Sequence, residues 1–311
     1  MTVNGFYLIR DREIKQAANG SLYANFTLLK QHTILSARLW DITDDQQDKF
    51  VPKAIVKIEG KLETFRSKQQ VTIQKIRLAT EEDGINRTEL VSKKGISRED
   101  LWHELRMIME EIQSPVLQLV IKKLYGDRSI RERFTTIPAA KKLHHAYYAG
   151  LLEQTVELAA ACLQLLPLYA DLDKDVALAT CLLGDIGKVK ALEDPFAPEY
   201  TSTGELIGHL ALSSEMISQA ANEQGLDVND QKLVAVKHAI LAQYGETESG
   251  LSSTVQAKTK EALFYYYIKR MNTELRALQQ AEGGEHDFAY LDLFKRKMAV
   301  GKAFHQEEEA E

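Results

Sequence analysis

Cysteine is scarce in this chain: 311 residues hold two, Cys162 and Cys181, with no C-x-x-C pair. That excludes a disulfide-stapled scaffold and zinc-finger spacing. Both fall in apolar helical patterns and read as small buried hydrophobes, which points to a reducing, cytoplasmic compartment. No run of about 18 apolar residues occurs, so no membrane-spanning helix and no membrane partner are expected. The opening stretch MTVNGFYLIRDREIK carries charges where a signal peptide needs its apolar core, so secretion is not expected. No G-x-S-x-G elbow is present, and neither cysteine has a nucleophile's context. A phosphate loop fails too: "GDIGKV" has Leu182 where the first glycine belongs and Val189 where Ser or Thr belongs. There is no internal repeat.

What is present is ordinary globular composition, 44% hydrophobic and 27% charged, with length for roughly two domains. Charge is divided unevenly. Residues 1–80 hold eight Lys, five Arg, five Asp and three Glu, a balance of +5, so the net charge of −6 leaves −11 for the remainder. A basic first part facing a polyanion, or simply a solvated basic face, fits that asymmetry.

Residues 4–80 read as strands. "SLYANFTLLK", "HTILSARLWDI", "KAIVKIEGKLETF" and "QQVTIQKIRLA" carry β-branched and aromatic residues in alternation, and "AANGS" is a turn signal. Short strands at this spacing, with Gly60 free to bend one at a corner, suit a small closed barrel. From about residue 97 the period becomes helical. Ser97 with Asp100 three residues on marks a helix start, and Trp102, Leu105, Ile108, Met109 and Ile112 form an apolar stripe. Helical patterns continue through 116–126, 139–168, 174–183, 205–224, 229–243 and 258–281. Residues 81–96 are polar and read as a linker, and "QEEEAE" at the end as a solvated acidic tail.

Histidines mark the helical half: His144 and His145 in "KKLHHAYYAGLLEQT", His209 in "GELIGHL" and His238 in "VKHAILAQYG". Each alone reads as a packed residue; with Asp185 of "LLGDIGKV" they suggest one cavity. Together with "ARLWD", "KIEGKLETFR", "TSTGELIGHL" and "EALFYYYIKRM", in this order and spacing over residues 5–275, these motifs resemble the YhaM-type 3′→5′ exoribonucleases. The resemblance implies an α+β multidomain protein: an N-terminal OB-fold β-barrel followed by an all-α HD-type helical domain. The expected division is 1–80 for the barrel and 81–135 for a linker with connecting helices. Residues 136–275 form the helical domain, and 276–311 a C-terminal extension with the acidic tail.

The family pattern has a histidine where this chain has Gln154, His-Asp where it has Gly184-Asp185, a His-His pair where it has Gln243 and Tyr244, and an aspartate where it has Lys269. Asp185 and His209 survive as ligand types, and His144, His145, His238 and Lys188 also match. Metal-assisted hydrolysis needs imidazole and carboxylate donors; glutamine is a poor ligand, glycine offers none and an ammonium repels the ion. Lys269 is expected to pair with Asp185 instead, or to turn to solvent through a register shift. The leading expectation is therefore a degenerate site with no cofactor, and no confident catalytic residue beyond the remnants Asp185, Lys188, His144 and His145. The alternative is an active exonuclease using Mn or Mg on a reduced set, Asp185, His209 and His238.

An OB-fold's expected partner is a single-stranded nucleic acid, RNA ahead of DNA by the resemblance, held by a basic groove and aromatic platforms. Candidates are Arg38, Trp40, Phe65, Arg66 and Lys68, with Tyr23 and Phe26 behind them; Phe26 and Trp40 can equally fill the barrel. Strand parity puts Arg38 and Trp40 on one face. A homo-oligomer remains open.

Overall fold

The computed structural model describes residues 2–30, 33–65, 68–91, 97–245, 255–281 and 287–301. Strands β1 (Thr2–Gln16), β2 (Leu22–Lys30) and β3 (Thr33–Trp40) run antiparallel in turn, followed by helix α1 (Asp44–Lys49) and strands β4 (Ile55–Phe65) and β5 (Lys68–Leu78). The sheet closes in the order β1-β2-β3-β5-β4, with β4 returning antiparallel to β1 and β3 meeting β5 in parallel. This is the five-stranded closed barrel expected of an OB-fold. Alternation explains the strands: Ala24, Phe26 and Leu28 of β2 point inward and join Ile9, Ala37, Leu39, Val56, Ile58, Val71 and Ile73 in one core. Phe26 is thus an interior side chain and leaves the set of nucleic-acid candidates. Gly60 sits at the register shift of β4, where a Cβ would approach within 2.5 Å of the Thr72 carbonyl oxygen. Only glycine lets the two backbones meet so closely there.

The chain forms two compact units, residues 1–95 with 278–311, and residues 96–277. The polar stretch after the barrel is not featureless: it holds a 3₁₀ turn at Glu81–Asp83 and helix α2 (Arg87–Val91), which packs on β1. Residues 92–96 and the acidic tail lie outside the described residues.

The helical unit contains α3 (Arg98–Glu110), α4 (Pro115–Gly126), α5 (Arg128–Phe134), α6 (Gly150–Leu165), α7 (Lys174–Leu183) and α8 (Lys188–Ala191). A short hairpin, β6 (Leu192–Glu193) and β7 (Glu199–Tyr200), leads to α9 (Ser202–Leu206), α10 (His209–Glu223), α11 (Gln231–Leu241) and α12 (Lys260–Ala281). Ser97 caps α3 by accepting the Asp100 N–H at 3.2 Å. Helix α7 is buried along most of its length and α6 through Gly150–Val156, and both share one core with Leu117, Phe134, Ile217, Ile240 and Tyr265. The stretch Gly150–Leu168 is long and apolar enough to cross a membrane by length and composition. Here it is the central core helix with the turn that follows, and it buries Glu153 and Gln154.

The helix expected over 139–168 begins only at Gly150. Residues 138–149 form an irregular loop in which Leu143, His145 and Ala149 take positive φ. The loop folds back so tightly that a Cβ on Gly150 would overlap the His145 carbonyl oxygen, which also accepts the Ala139 N–H at 3.0 Å. After α12, strands β8 (Phe288–Leu291) and β9 (Arg296–Ala299) form a hairpin that composition did not suggest.

Candidate functional site

The turn between α7 and α8 carries Asp185, and its tightness follows from two small residues. A Cβ on Gly187 would overlap the carbonyl oxygen of His209, so glycine brings the start of α10 against this turn. Ser213 locks the approach: its Oγ accepts the Gly187 N–H at 2.8 Å and donates to the Gly184 carbonyl at 3.2 Å. His209 and Asp185 are thereby neighbours, with Nε2 and Oδ1 3.6 Å apart.

Asp185 is 4% exposed and Lys269 of α12 3% exposed, yet they form an ion pair at 2.5 Å between Nζ and Oδ1. The other carboxylate oxygen, Oδ2, accepts from Lys188 at 2.9 Å, one turn along from Asp185. Gln243 completes the shell: its Oε1 accepts from Lys269 at 2.8 Å, and its Nε2 lies 3.5 Å from Asp185 Oδ1. Burial pushes the Asp185 carboxyl up, but Lys188 and Lys269 outweigh it and hold it well below the carboxylate range. Burial pushes the Lys269 ammonium down to about 8, with Asp185 opposing; it is charged at neutral pH.

Around this pair stand neutral groups. Burial, reinforced by Lys188, pushes His209 down to about 3, so its ring is uncharged, and Nε2 is hydrogen-bonded to the Tyr244 hydroxyl at 3.0 Å. His144 is likewise pushed well below its ordinary value by burial, and its Nδ1 lies 3.3 Å from Gln154 Nε2. Gln154 Oε1 is buried with no hydrogen-bond partner among the described residues.

His145 and His238 are not in this pocket's shell. His145 turns the other way, with Nε2 3.0 Å from Glu157 of α6, a carboxylate that also accepts from Asn272 at 2.7 Å and from Arg276. It anchors the loop to α6 and α12. The atoms of His145, Glu153 and Glu157 lie close enough to share a cation, but Arg276 already pairs with Glu157. His238 accepts the Lys258 N–H at 2.9 Å, ahead of α12.

Sequence reasoning missed Tyr265, which is fully buried. A Cβ on Gly184 would overlap its hydroxyl oxygen and come within 2.8 Å of the ring carbon bearing it. The signal was its position four residues before Lys269, which puts both side chains on one face of α12.

On the barrel, Tyr23 and Trp40 are register partners on β2 and β3, as are Asn25 and Arg38. The Tyr23 and Trp40 rings lie 4.9 Å apart at 43°, and the Arg38 guanidinium is 4.8 Å and 5.0 Å from their centroids. Asn25 Oδ1 fixes Arg38 by accepting its Nε–H at 2.9 Å. Trp40 is 43% exposed, so the platform is outside the barrel, with Arg38 on the same face. Phe65 and Lys68 are register partners where β4 ends and β5 begins; their side chains, and Arg66 altogether, lie outside the described residues.

Three proteins named 3′-5′ exoribonuclease YhaM are similar over almost the whole chain. The protein from Geobacillus sp. (strain WCH70) is 30% identical over 287 residues, 91% of this chain and 87% of its own length. The chain belongs to the YhaM family. Those from Oceanobacillus iheyensis and Bacillus subtilis (strain 168) are 29% and 28% identical, covering 91% of this chain and 88% and 90% of theirs. No protein-family profile matches. An aspartyl tRNA synthetase from Entamoeba histolytica is a likeness of TM-score 0.20 and 11% identity over 53% of this chain and 41% of that one, too distant to bear on this YhaM-family fold.

Proposed function

We propose that this chain is a single-stranded RNA-binding member of the YhaM family whose HD-type helical pocket works without a metal. RNA is taken over DNA because the relatives carry an RNA activity in their names. The observation that carries the reading is the Lys269 ammonium 2.5 Å from Asp185 Oδ1. A hydrolytic metal needs a carboxylate and imidazoles free to coordinate it. Both Asp185 oxygens accept from ammoniums, Gly184 has no donor, and Gln154 and Gln243 are neutral amides. A divalent ion placed about 4 Å from one ammonium is repelled by about 8 kcal/mol at an effective dielectric of about 20. This donor set does not fit a bound divalent metal.

The test is one oligoribonucleotide with the full chain, with and without Mn or Mg, scored for binding and shortening, alongside metal content of the protein. Expected are salt-dependent binding, no shortening and no stoichiometric Mn, Fe or Zn. Stoichiometric metal that disappears in Asp185→Asn overturns the proposal.

A second reading, a metal-dependent 3′-5′ exoribonuclease with a reduced site, is favoured by the names of the relatives and by His209 Nε2 staying 3.6 Å from Asp185 Oδ1. It requires Mn- or Mg-dependent shortening that Asp185→Ala abolishes.

A further inference from the structure

Residues 81–311, which include the helical unit, carry −11 of formal charge by difference from the first 80 residues, which argues against a broad polyanion surface there. The structure nevertheless brings aromatic and basic side chains together beside the Asp185 pocket. The loop 138–149 and the β6–β7 hairpin are joined twice. Tyr148 of the loop stacks on Phe196 of the hairpin, with ring centroids 5.7 Å apart and planes at 16°. Lys141 of the loop lies 5.3 Å above the Tyr200 ring and pairs with Glu199 at 2.7 Å. Tyr200 is 41% exposed, an aromatic face with a cation over it, as on the barrel.

Both segments reach the pocket. His144, in the same loop, is the neighbour of Gln154. The hairpin runs directly from α8, whose Lys188 pairs with Asp185, and leads through α9 to His209, which lies 3.0 Å from the Tyr244 hydroxyl. The His209 side chain is 19% exposed, so the pocket is not sealed from solvent.

We propose that the loop 138–149 and the β6–β7 hairpin form a stacking ledge for the terminal bases of a single-stranded RNA, at the mouth of the Asp185 pocket. The proposal rests on the single-strand reading given above. Nucleobases fit because each has a π face, so stacking on Tyr200 and the Phe196–Tyr148 pair tolerates any sequence. Lys141 supplies the cation for the adjoining phosphate, and Glu199 competes for it.

The test uses the full chain and a short oligoribonucleotide with 2-aminopurine at its 3′ end and a dye at its 5′ end. Fluorescence of the purine reads stacking of the terminal base, and anisotropy of the dye reads total binding. Binding is expected to quench the purine. Tyr200→Leu and Phe196→Leu are each expected to lose most of the quench and to weaken binding about tenfold. Tyr200→Phe is expected to keep both, and Glu199→Gln to tighten binding by freeing Lys141. Melting curves of the Tyr200 variants, an exposed site, are expected to overlay the parent. Binding whose quench survives both leucine variants overturns the ledge and leaves the RNA-binding reading standing. No binding by the parent chain at low salt overturns both.

Discussion

The hydroxyl of Tyr265 takes the space that a side chain on residue 184 would need. Gly184 closes α7 at φ −54° and ψ −39°, an ordinary right-handed conformation, so glycine stands there for room and not for backbone freedom. One turn further along α12, Lys269 brings its ammonium to Asp185. A single helix thus fills the space beside residue 184 and pairs with the carboxylate next to it.

Gly184→Ala is therefore expected to destabilise the helical unit by about 1–3 kcal/mol, the range for overpacking, although alanine is the better helix former. Tyr265→Phe removes the overlapping oxygen, itself buried without a hydrogen-bond partner among the described residues. Combined with Gly184→Ala, it is expected to recover part of the loss. Urea midpoints of the four proteins check this, and strictly additive values would show the two positions to be uncoupled.

Lys269→Met keeps the stem and deletes the charge. Asp185 then has Lys188 alone, and Gln243 Oε1 loses its donor. Removing one member of a buried pair typically costs about 3–5 kcal/mol, mostly for the charge left behind. Adding Asp185→Asn is expected to restore part of the stability, because a neutral amide needs no ammonium. A Lys269→Met protein as stable as the parent in urea would show that the ammonium is not what holds Asp185 ionised.

Acid should weaken the loop anchor. Burial pushes Glu157 up, but His145, Arg276 and Asn272 overcome it and bring the carboxyl down to about 2 from an ordinary 4.5. A depressed carboxyl contributes stability in full above its unfolded value and loses it as pH falls toward its folded one. The contribution, up to about 3 kcal/mol, is thus present at neutral pH and fades between about pH 4.5 and 2. Melting temperatures of the parent and Glu157→Gln are expected to differ at pH 7 and converge across that window. A constant gap down to pH 2 would reject the assignment.

The barrel was legible because strand content and alternation are local signals, although they left open which face of β2 points inward: Phe26 stands with Tyr23 as a candidate contact until the fold places it in the core. Gly60 marked the bend because a glycine inside a strand is a local signal too. The loop 138–149 was not legible, because its left-handed positions are Leu143, His145 and Ala149 and no glycine announces them. His144 and His145 are adjacent in a loop, so neither helical nor strand period could tell that one lies by Gln154 and the other by Glu157. Asp185 and Lys269 were recognisable as partners through family spacing alone, since 84 residues separate them. Tyr265 against Gly184 is a contact of the same long range, and no local pattern encodes it.

The barrel platform offers the most direct test of the nucleic-acid face. Trp40 and Arg38 share an exposed surface of β3, and the strands β2 and β3 supply the face that OB-folds use for oligonucleotides. Trp40→Ala removes an exposed ring whose absence leaves the core of Phe26, Val56 and Ile58 intact, so the melting temperature is expected to hold. Loss of one stacked base is expected to weaken oligoribonucleotide binding by about 1–3 kcal/mol, with the salt dependence unchanged because no phosphate contact is removed. Arg38→Ala acts differently. If the guanidinium neutralises a phosphate, the slope of log affinity against log salt falls by about one, and the Tyr23 and Trp40 rings also lose the cation that lies 4.8 Å and 5.0 Å from them. Anisotropy titrations at several salt concentrations separate the two effects. A Trp40→Ala protein that binds as tightly as the parent would move the nucleic acid off this face.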